Sequence, residues 1–464
     1  MSSPAPSRRG ATATATAIPP VPARSGSAGG LAPSASVPVT PAQARELQAR
    51  AARGARGANG LSTPGKLRAA TVVSVLACLC LSVLGYIAAT TQASALSAAS
   101  RDASRVIDLQ SARTDFVSAN AIATNAYLVG GLEPADQRAA YDAALHDGLT
   151  ALPVLAGSNA QDREDLGEVA SSMATYAGLV EQARANNRQG FPVGAAFLDT
   201  GSTMLREDVL PVMDTVILSA ADDVSADLGR LSGARFALFG MVVAIGALVI
   251  IQVWLSRKVR RTINPGLLAA SIIVVAVTLV ASGMANGAVS NAVETRELRY
   301  ISALGNSQAL SAGAEARTAE AFMLIRRGSG QAYADEFDAA IQRAKDQAGR
   351  ARVVQSPNSS YTTTELLEAW ETGHQKIRVV NDAGDWDGAV ALATSDLETD
   401  PSGAYASFVE NTSELVAIQR NVTVDNFAQG ATGLRVIAWI SLLAGLVAAG
   451  LSWQGLNKRL EEYR

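Results

Sequence analysis

Four apolar windows, Leu67 to Ala89, Phe236 to Leu255, Leu267 to Ala285 and Leu434 to Trp453, constrain this chain more than any other feature. A helix that crosses a bilayer needs about 20 mostly apolar residues, and each window supplies them. Backbone polar groups in hydrocarbon must be bonded within their own segment, so the windows are expected as helices. The expected fold class is therefore an all-α membrane protein with four transmembrane helices, whose two long connections lie together on one side.

Charge decides which side. Arg8, Arg9, Arg24, Arg45, Arg50, Arg53, Arg56 and Lys66 precede the first window against a single acid, Glu46. Between the second and third lies a short loop holding Arg257, Lys258, Arg260 and Arg261 with no acid. Basic residues mark the cytoplasmic side, so both termini and this loop are expected inside the plasma membrane and the two long, acid-rich segments outside. Residues 1–65 read as a disordered cytoplasmic tail, too poor in large apolar groups to offset chain entropy, whose arginines either touch anionic lipids or stay solvated and only fix topology. The order continues with a span at 66–90, an outer helical bundle at 91–233, a span at 234–255, the basic loop at 256–265, a span at 266–286, a second bundle at 287–432, a span at 433–453 and a cytoplasmic tail at 454–464. Val75-Leu76-Ala77-Cys78 loosely resembles a lipoprotein cleavage box, but the apolar run continues to Ala89, which favours an uncleaved span. Both cysteines, Cys78 and Cys80, fall in that window, so the outer segments hold no disulfide.

Laying residues 64–258 over 265–459 brings out an internal repeat. Pro64-Gly65 opens one copy and Pro265-Gly266 the other; Tyr141-Asp142-Ala143-Ala144-Leu145 meets Phe337-Asp338-Ala339-Ala340-Ile341; Asn187, Gly190 and Gly194 meet Asn381, Gly384 and Gly388. Within each outer segment apolar residues recur every three or four positions, the helical period, as in Val106, Leu109, Arg113, Phe116, Asn120, Ala123 and Tyr127. Gly130-Gly131, Gly157 and Gly190 divide the first segment; Gly328 to Gly330, Ser356-Pro357 and Gly384 divide the second, where Thr362 and Glu365 suit a capping box. Four helices per copy follow, the first and last continuous with the spans. An even number of spans per copy makes the copies parallel, so the two bundles are expected to lie side by side as an internal pseudo-dimer.

A search for chemistry is negative. His146 and His374 fall at unrelated positions in the two copies, outside any metal-binding spacing, and read as surface or partly buried polar residues. No phosphate-cradling loop or nucleophile and base set stands out, so no enzymatic activity, cofactor or metal is expected, nor a nucleic-acid partner. The windows carry no ionisable residue at mid-membrane, which disfavours a transporter. Polar residues on otherwise apolar helical faces remain: Arg113, Asp115, Asn120 and Asn125 in the first copy, and Glu315, Arg317 and Glu320 in the second. Two readings of them stand open, as contacts to a carboxylate-bearing ligand or a partner, or as solvated faces and helix-pair salt bridges.

The string Ala112-Arg113-Thr114-Asp115, followed by Asn125-Ala126-Tyr127-Leu128-Val129-Gly130-Gly131-Leu132-Glu133-Pro134 and Tyr141-Asp142-Ala143-Ala144-Leu145, resembles the GlnX family of actinobacterial four-span membrane proteins. Each copy also resembles the four-helix sensor modules of bacterial chemoreceptors and sensor kinases. Copy two departs from the string, with Glu320-Ala321-Phe322-Met323 and no Gly-Gly-Leu-Glu-Pro turn. The resemblance implies a non-enzymatic signal transducer that senses an amino acid of the glutamate, glutamine or aspartate class through a GlnH-type solute-binding lipoprotein. It would relay that signal to a PknG-type cytoplasmic Ser/Thr kinase, with the basic loop as output. The alternative is a cell-envelope scaffold that uses the bundles for protein contacts alone.

Overall fold

The computed structural model describes residues 45–46, 63–130, 133–157, 159–231, 235–259, 264–353, 355–395, 397 and 399–461. Two units divide the chain, Met1–Ser62 and Thr63–Arg464. Apart from Arg45 and Glu46, the expected N-terminal tail lies outside the described residues up to Ser62. The second unit holds helices α1 (Thr63–Val129), α2 (Ala135–Leu155), α3 (Ala160–Arg188), α4 (Val193–Met204), α5 (Leu210–Arg230) and α6 (Arg235–Val259). It continues with α7 (Pro265–Thr295), α8 (Ile301–Ile325), α9 (Gln331–Arg350), α10 (Thr363–Asp382), α11 (Trp386–Thr394) and α12 (Pro401–Glu461). Single π turns at Leu205–Val209 and Arg296–Tyr300 join α4 to α5 and α7 to α8. No strand occurs among the described residues.

The length of α1 follows from its sequence. Pro64 stands in the first turn, where its missing N–H leaves no bond unmade, and from Lys66 to Val129 there is one glycine, Gly85, and no proline. Its 67 residues run about 100 Å at ~1.5 Å per residue, roughly three times the hydrocarbon thickness. Gly130, at φ +68°, ends the helix in the left-handed region that glycine adopts without strain. Thr362 and Glu365 close the expected capping box at the start of α10.

Three helical stretches, Arg68–Val129, Pro265–Ile325 and Pro401–Lys458, are long and apolar enough to cross a membrane. The window expected as a further crossing, Phe236 to Leu255, lies in α6, a helix of 25 residues with a shorter apolar stretch at Ile245–Trp254. Cys78 and Leu81 of α1, Leu248 of α6, Ala270 and Val274 of α7, and Ala448 of α12 share one apolar cluster. Small residues set the approach of α1 to α12: a Cβ on Gly445 would overlap the Ser82 hydroxyl, and one on Gly85 would touch Ser441 at 3.4 Å. Close backbone contact of this kind is how helices associate where no hydrophobic force drives them together.

Beyond the apolar stretches, helices from both halves of the chain share one core. Phe116 of α1 lies against Gly148 of α2, where a Cβ would come within 2.5 Å of its ring. Trp370 of α10 is fully buried against Phe337 of α9 and Phe408 of α12. The face expected on α1 is internal, with Val106, Leu109, Phe116, Asn120 and Ala123 all buried. The second half carries one helix more than expected: Asp385 caps α11 after the expected turn at Gly384 by accepting the Gly388 N–H at 2.9 Å, but α11 ends at Thr394, where Ser395 turns extended (ψ 144°), and α12 starts afresh at Pro401. In the first half α5 ends at Arg230, with the Leu231 N–H bonding back to Leu228 and Gly229. Helix resumes at Arg235, and residues 232–234 lie outside the described residues.

Candidate functional site

Helices α1 and α8 run parallel, and their polar residues meet in step. Arg113 bonds the Ser311 hydroxyl and Asn120 bonds Thr318 at 3.4 Å; each pair is 198 residues apart, and the second lies seven residues on from the first in both helices. Seven residues is close to two helical turns, so the same face of each helix returns to the seam. Further links join the halves along it: Ser100 to the Val424 carbonyl at 3.0 Å, Arg420 to Asp108, and Arg326 to Asp199 at 2.7 Å.

Arg113 is the hub of the first polar constellation. Its Nε donates to Asp214 of α5 at 2.8 Å, its Nη1 donates to Ser311, and its Nη2 lies 3.6 Å from Glu315. Glu315 in turn pairs with Arg343 of α9 at 2.9 Å. These groups line a cleft of about 380 Å³, together with Gln110, Gln308 and Gln347. Gln110 is only 3 % exposed. Two guanidiniums, two carboxylates and three amides lining one space can receive both ends of a zwitterion: carboxylate on arginine, ammonium on Asp214 or Glu315.

Arg317 and Glu320, both buried, form a second constellation with the half-buried Asn125. Arg317 pairs with Glu320, and its Nη2 donates to Asn125 Oδ1 at 3.1 Å, the Ala393 carbonyl at 2.7 Å and Ser402 Oγ at 3.1 Å. His374 Nδ1 lies 2.7 Å from Glu320, and its ring stacks on Phe337 with centroids 3.5 Å apart. Burial alone would raise the Glu320 pKa; the Arg317 charge and the His374 hydrogen bond outweigh it and hold the carboxyl below its ordinary value. Such a knot adds little net stability but punishes any arrangement that separates its members. It fixes α8 against α1, α10 and the start of α12.

The structure therefore distributes the seven polar residues singled out in the sequence. Arg113 and Glu315 line the cleft. Asn120 is interior, its Oδ1 accepting from Tyr176 at 3.1 Å and Ser202 at 2.8 Å. Asn125, Arg317 and Glu320 bond one another. Asp115 makes no contact with either group; burial first, then the nearby charge of Asp147 on α2, push its carboxyl up to about 7. His374 corrects the reading of it as a surface or partly buried residue, since it is fully buried with Nδ1 2.7 Å from Glu320. Its spacing on the apolar face of α10, four after Trp370 and three before Ile377, was the available signal. Asp214 and Gln110 were also missed. Of the basic loop, Arg257 is exposed near the end of α6 and Lys258 belongs to that helix, while Arg260 and Arg261 lie outside the described residues.

Residues 94–229 match the family model of the actinobacterial sensor domain, a stretch that contains Gln110, Arg113, Asn120, Asn125 and Asp214. No curated protein and no solved structure matches the chain. The match supports a sensing role for the first outer segment, and the long apolar helices support a membrane protein.

Proposed function

We propose that this protein is a non-enzymatic signal transducer of the plasma membrane, crossing it four times with both termini and the loop containing Arg257, Lys258, Arg260 and Arg261 inside. It senses an amino acid of the glutamate, glutamine or aspartate class outside, through a solute-binding lipoprotein, and relays its state to a cytoplasmic Ser/Thr kinase. The observation that carries this reading is the position of Arg113, which belongs to the sensor domain and holds α5 on one side and α8 on the other. The charge pattern of the cleft supports the amino-acid class. Helices α1, α6, α7 and α12 meeting in one apolar cluster support four crossings, and the shared separation of 198 in the Arg113–Ser311 and Asn120–Thr318 pairs supports a tandem repeat.

Occupation of the cleft exchanges the Arg113–Asp214 and Glu315–Arg343 pairs for bonds to the arriving groups. A ligand moves an equilibrium only by binding two states unequally, and this exchange supplies the inequality by releasing α5 from α8. From Arg113 down to Ala89, α1 is one unbroken helix of about 36 Å at ~1.5 Å per residue. A tilt or shift at the cleft therefore reaches the membrane without loss to a hinge. Affinity isolation from native membranes with and without glutamate, glutamine or aspartate tests the reading. A binding lipoprotein and a Ser/Thr kinase should co-isolate, with recoveries that depend on the amino acid. An identical partner set under all conditions, with no binding protein, would indicate a scaffold instead.

A further inference from the structure

A second cavity, of about 240 Å³, lies at the end of the first bundle where the last turns of α1 and α3 meet the start of α2. Three arginines line it, Arg138, Arg184 and Arg188, against one carboxylate, Glu133. Arg184 is held in place: its Nη1 bonds Glu181 and its Nη2 bonds Glu133, both at 2.8 Å, while its guanidinium lies 4.2 Å from the centre of the Tyr141 ring. Its Nε is buried with no hydrogen-bond partner. Arg138 pairs with Asp142 at 3.1 Å and Glu181 at 3.0 Å, both acids about half exposed and outside the lining. Arg188, exposed in the last turn of α3, lines the cavity and pairs with no carboxylate among the described residues. Ala123 and Ala126 give the cavity an apolar wall.

We infer that this cavity binds a small organic carboxylate at a site separate from the seam. An anion gains an unpaired guanidinium at Arg188 beside the fixed positive charges of Arg138 and Arg184, and charge-assisted bonds to arginine are the strong ones. The alanine wall suits a short carbon body, and the volume falls below the ~300–1,000 Å³ of pockets for larger ligands. An ammonium group is poorly served, because both oxygens of Glu133 already face Arg138 and Arg184. The site therefore selects an acid without an amine, the opposite of the mixed-charge cleft at Arg113. Its occupation ties α3 to α2 and α1, all within the matched sensor domain.

The test uses the full chain in lipid nanodiscs, titrated with sodium succinate at constant ionic strength and followed by calorimetry and thermal unfolding. Saturable succinate binding is expected, weakened about tenfold or more in Arg188→Gln, a change at an exposed position that leaves the core intact. Ala126→Leu, which fills the wall, should weaken it as well, whereas Arg343→Gln in the seam cleft should leave it unchanged. Phosphate run as a parallel titrant should bind more weakly. Absence of saturable succinate binding, equal binding in wild type and Arg188→Gln, or phosphate binding as tight as succinate would each overturn the inference. Because Arg343→Gln acts on the cleft alone, failure here is distinguishable from failure of the amino-acid reading.

Discussion

Arg113 and Ser311, 198 residues apart, are hydrogen-bonded across the seam, and the same guanidinium donates to Asp214 at 2.8 Å. One side chain thus spans three helices, and its planar fork is what allows it to do so. Arg113→Gln should lower stability by about 1–3 kcal/mol, the range for a hydrogen bond to a charged group. Arg113→Lys keeps the charge but not the fork. Both variants should lose amino-acid dependence of partner recovery while remaining in the membrane fraction, checked by denaturant unfolding alongside affinity isolation.

Glu320 lies between Arg317 and His374 with almost no exposure. Glu320→Gln leaves the Arg317 charge buried without a counter-charge and should cost about 3–5 kcal/mol. Replacing Arg317 and Glu320 together by Met and Leu should recover at least half of that loss, because no charge is then stranded. The held-down pKa of Glu320 fixes the sign of its pH dependence: its contribution is present above the ordinary value of 4.5 and is lost as pH falls through the lower folded value. Thermal unfolding of the three proteins between pH 3 and 7 reads both effects.

Asp115 behaves in the opposite sense. Its carboxyl is raised from 3.8 to about 7, so its contribution is full below 3.8 and fades as pH rises toward 7. Asp115→Asn should therefore raise the unfolding temperature at pH 8 by about 2–4 °C, roughly 1 kcal/mol for a domain of this size. At pH 5, inside that window, the difference should be smaller than at pH 8 but not gone. A scan of both proteins at the two pH values checks it.

Much of this fold is written locally. The apolar windows, the Gly130 and Gly384 turns and the Thr362–Glu365 cap each depend on residues within a few positions of one another. The site is not local. Asp214 is 101 residues from the arginine it binds, and nothing in either neighbourhood of sequence specifies that meeting. Asp115 and Arg113 both stand among the polar residues of α1, yet residues two apart on a helix point to different sides, so helical period alone separates them. His374 shows the converse: a polar residue on the apolar face of α10 was read by its type, when the face it occupies already placed it in the core.

The central claim is that the seam held by Arg113 moves when the signal arrives. Spin labels at Leu218 on α5 and Asp346 on α9, both exposed, measure it directly in a protein whose Cys78 and Cys80 are replaced by serine. Pulsed dipolar spectroscopy in nanodiscs should show the inter-label distance shifting by about 1–2 Å or more, the scale of helix shifts in switching proteins, when amino acid and binding lipoprotein are added. The same shift should be absent in Arg113→Gln. Superimposable distance distributions with and without the signal, in a preparation whose kinase recovery still responds to it, would contradict the claim.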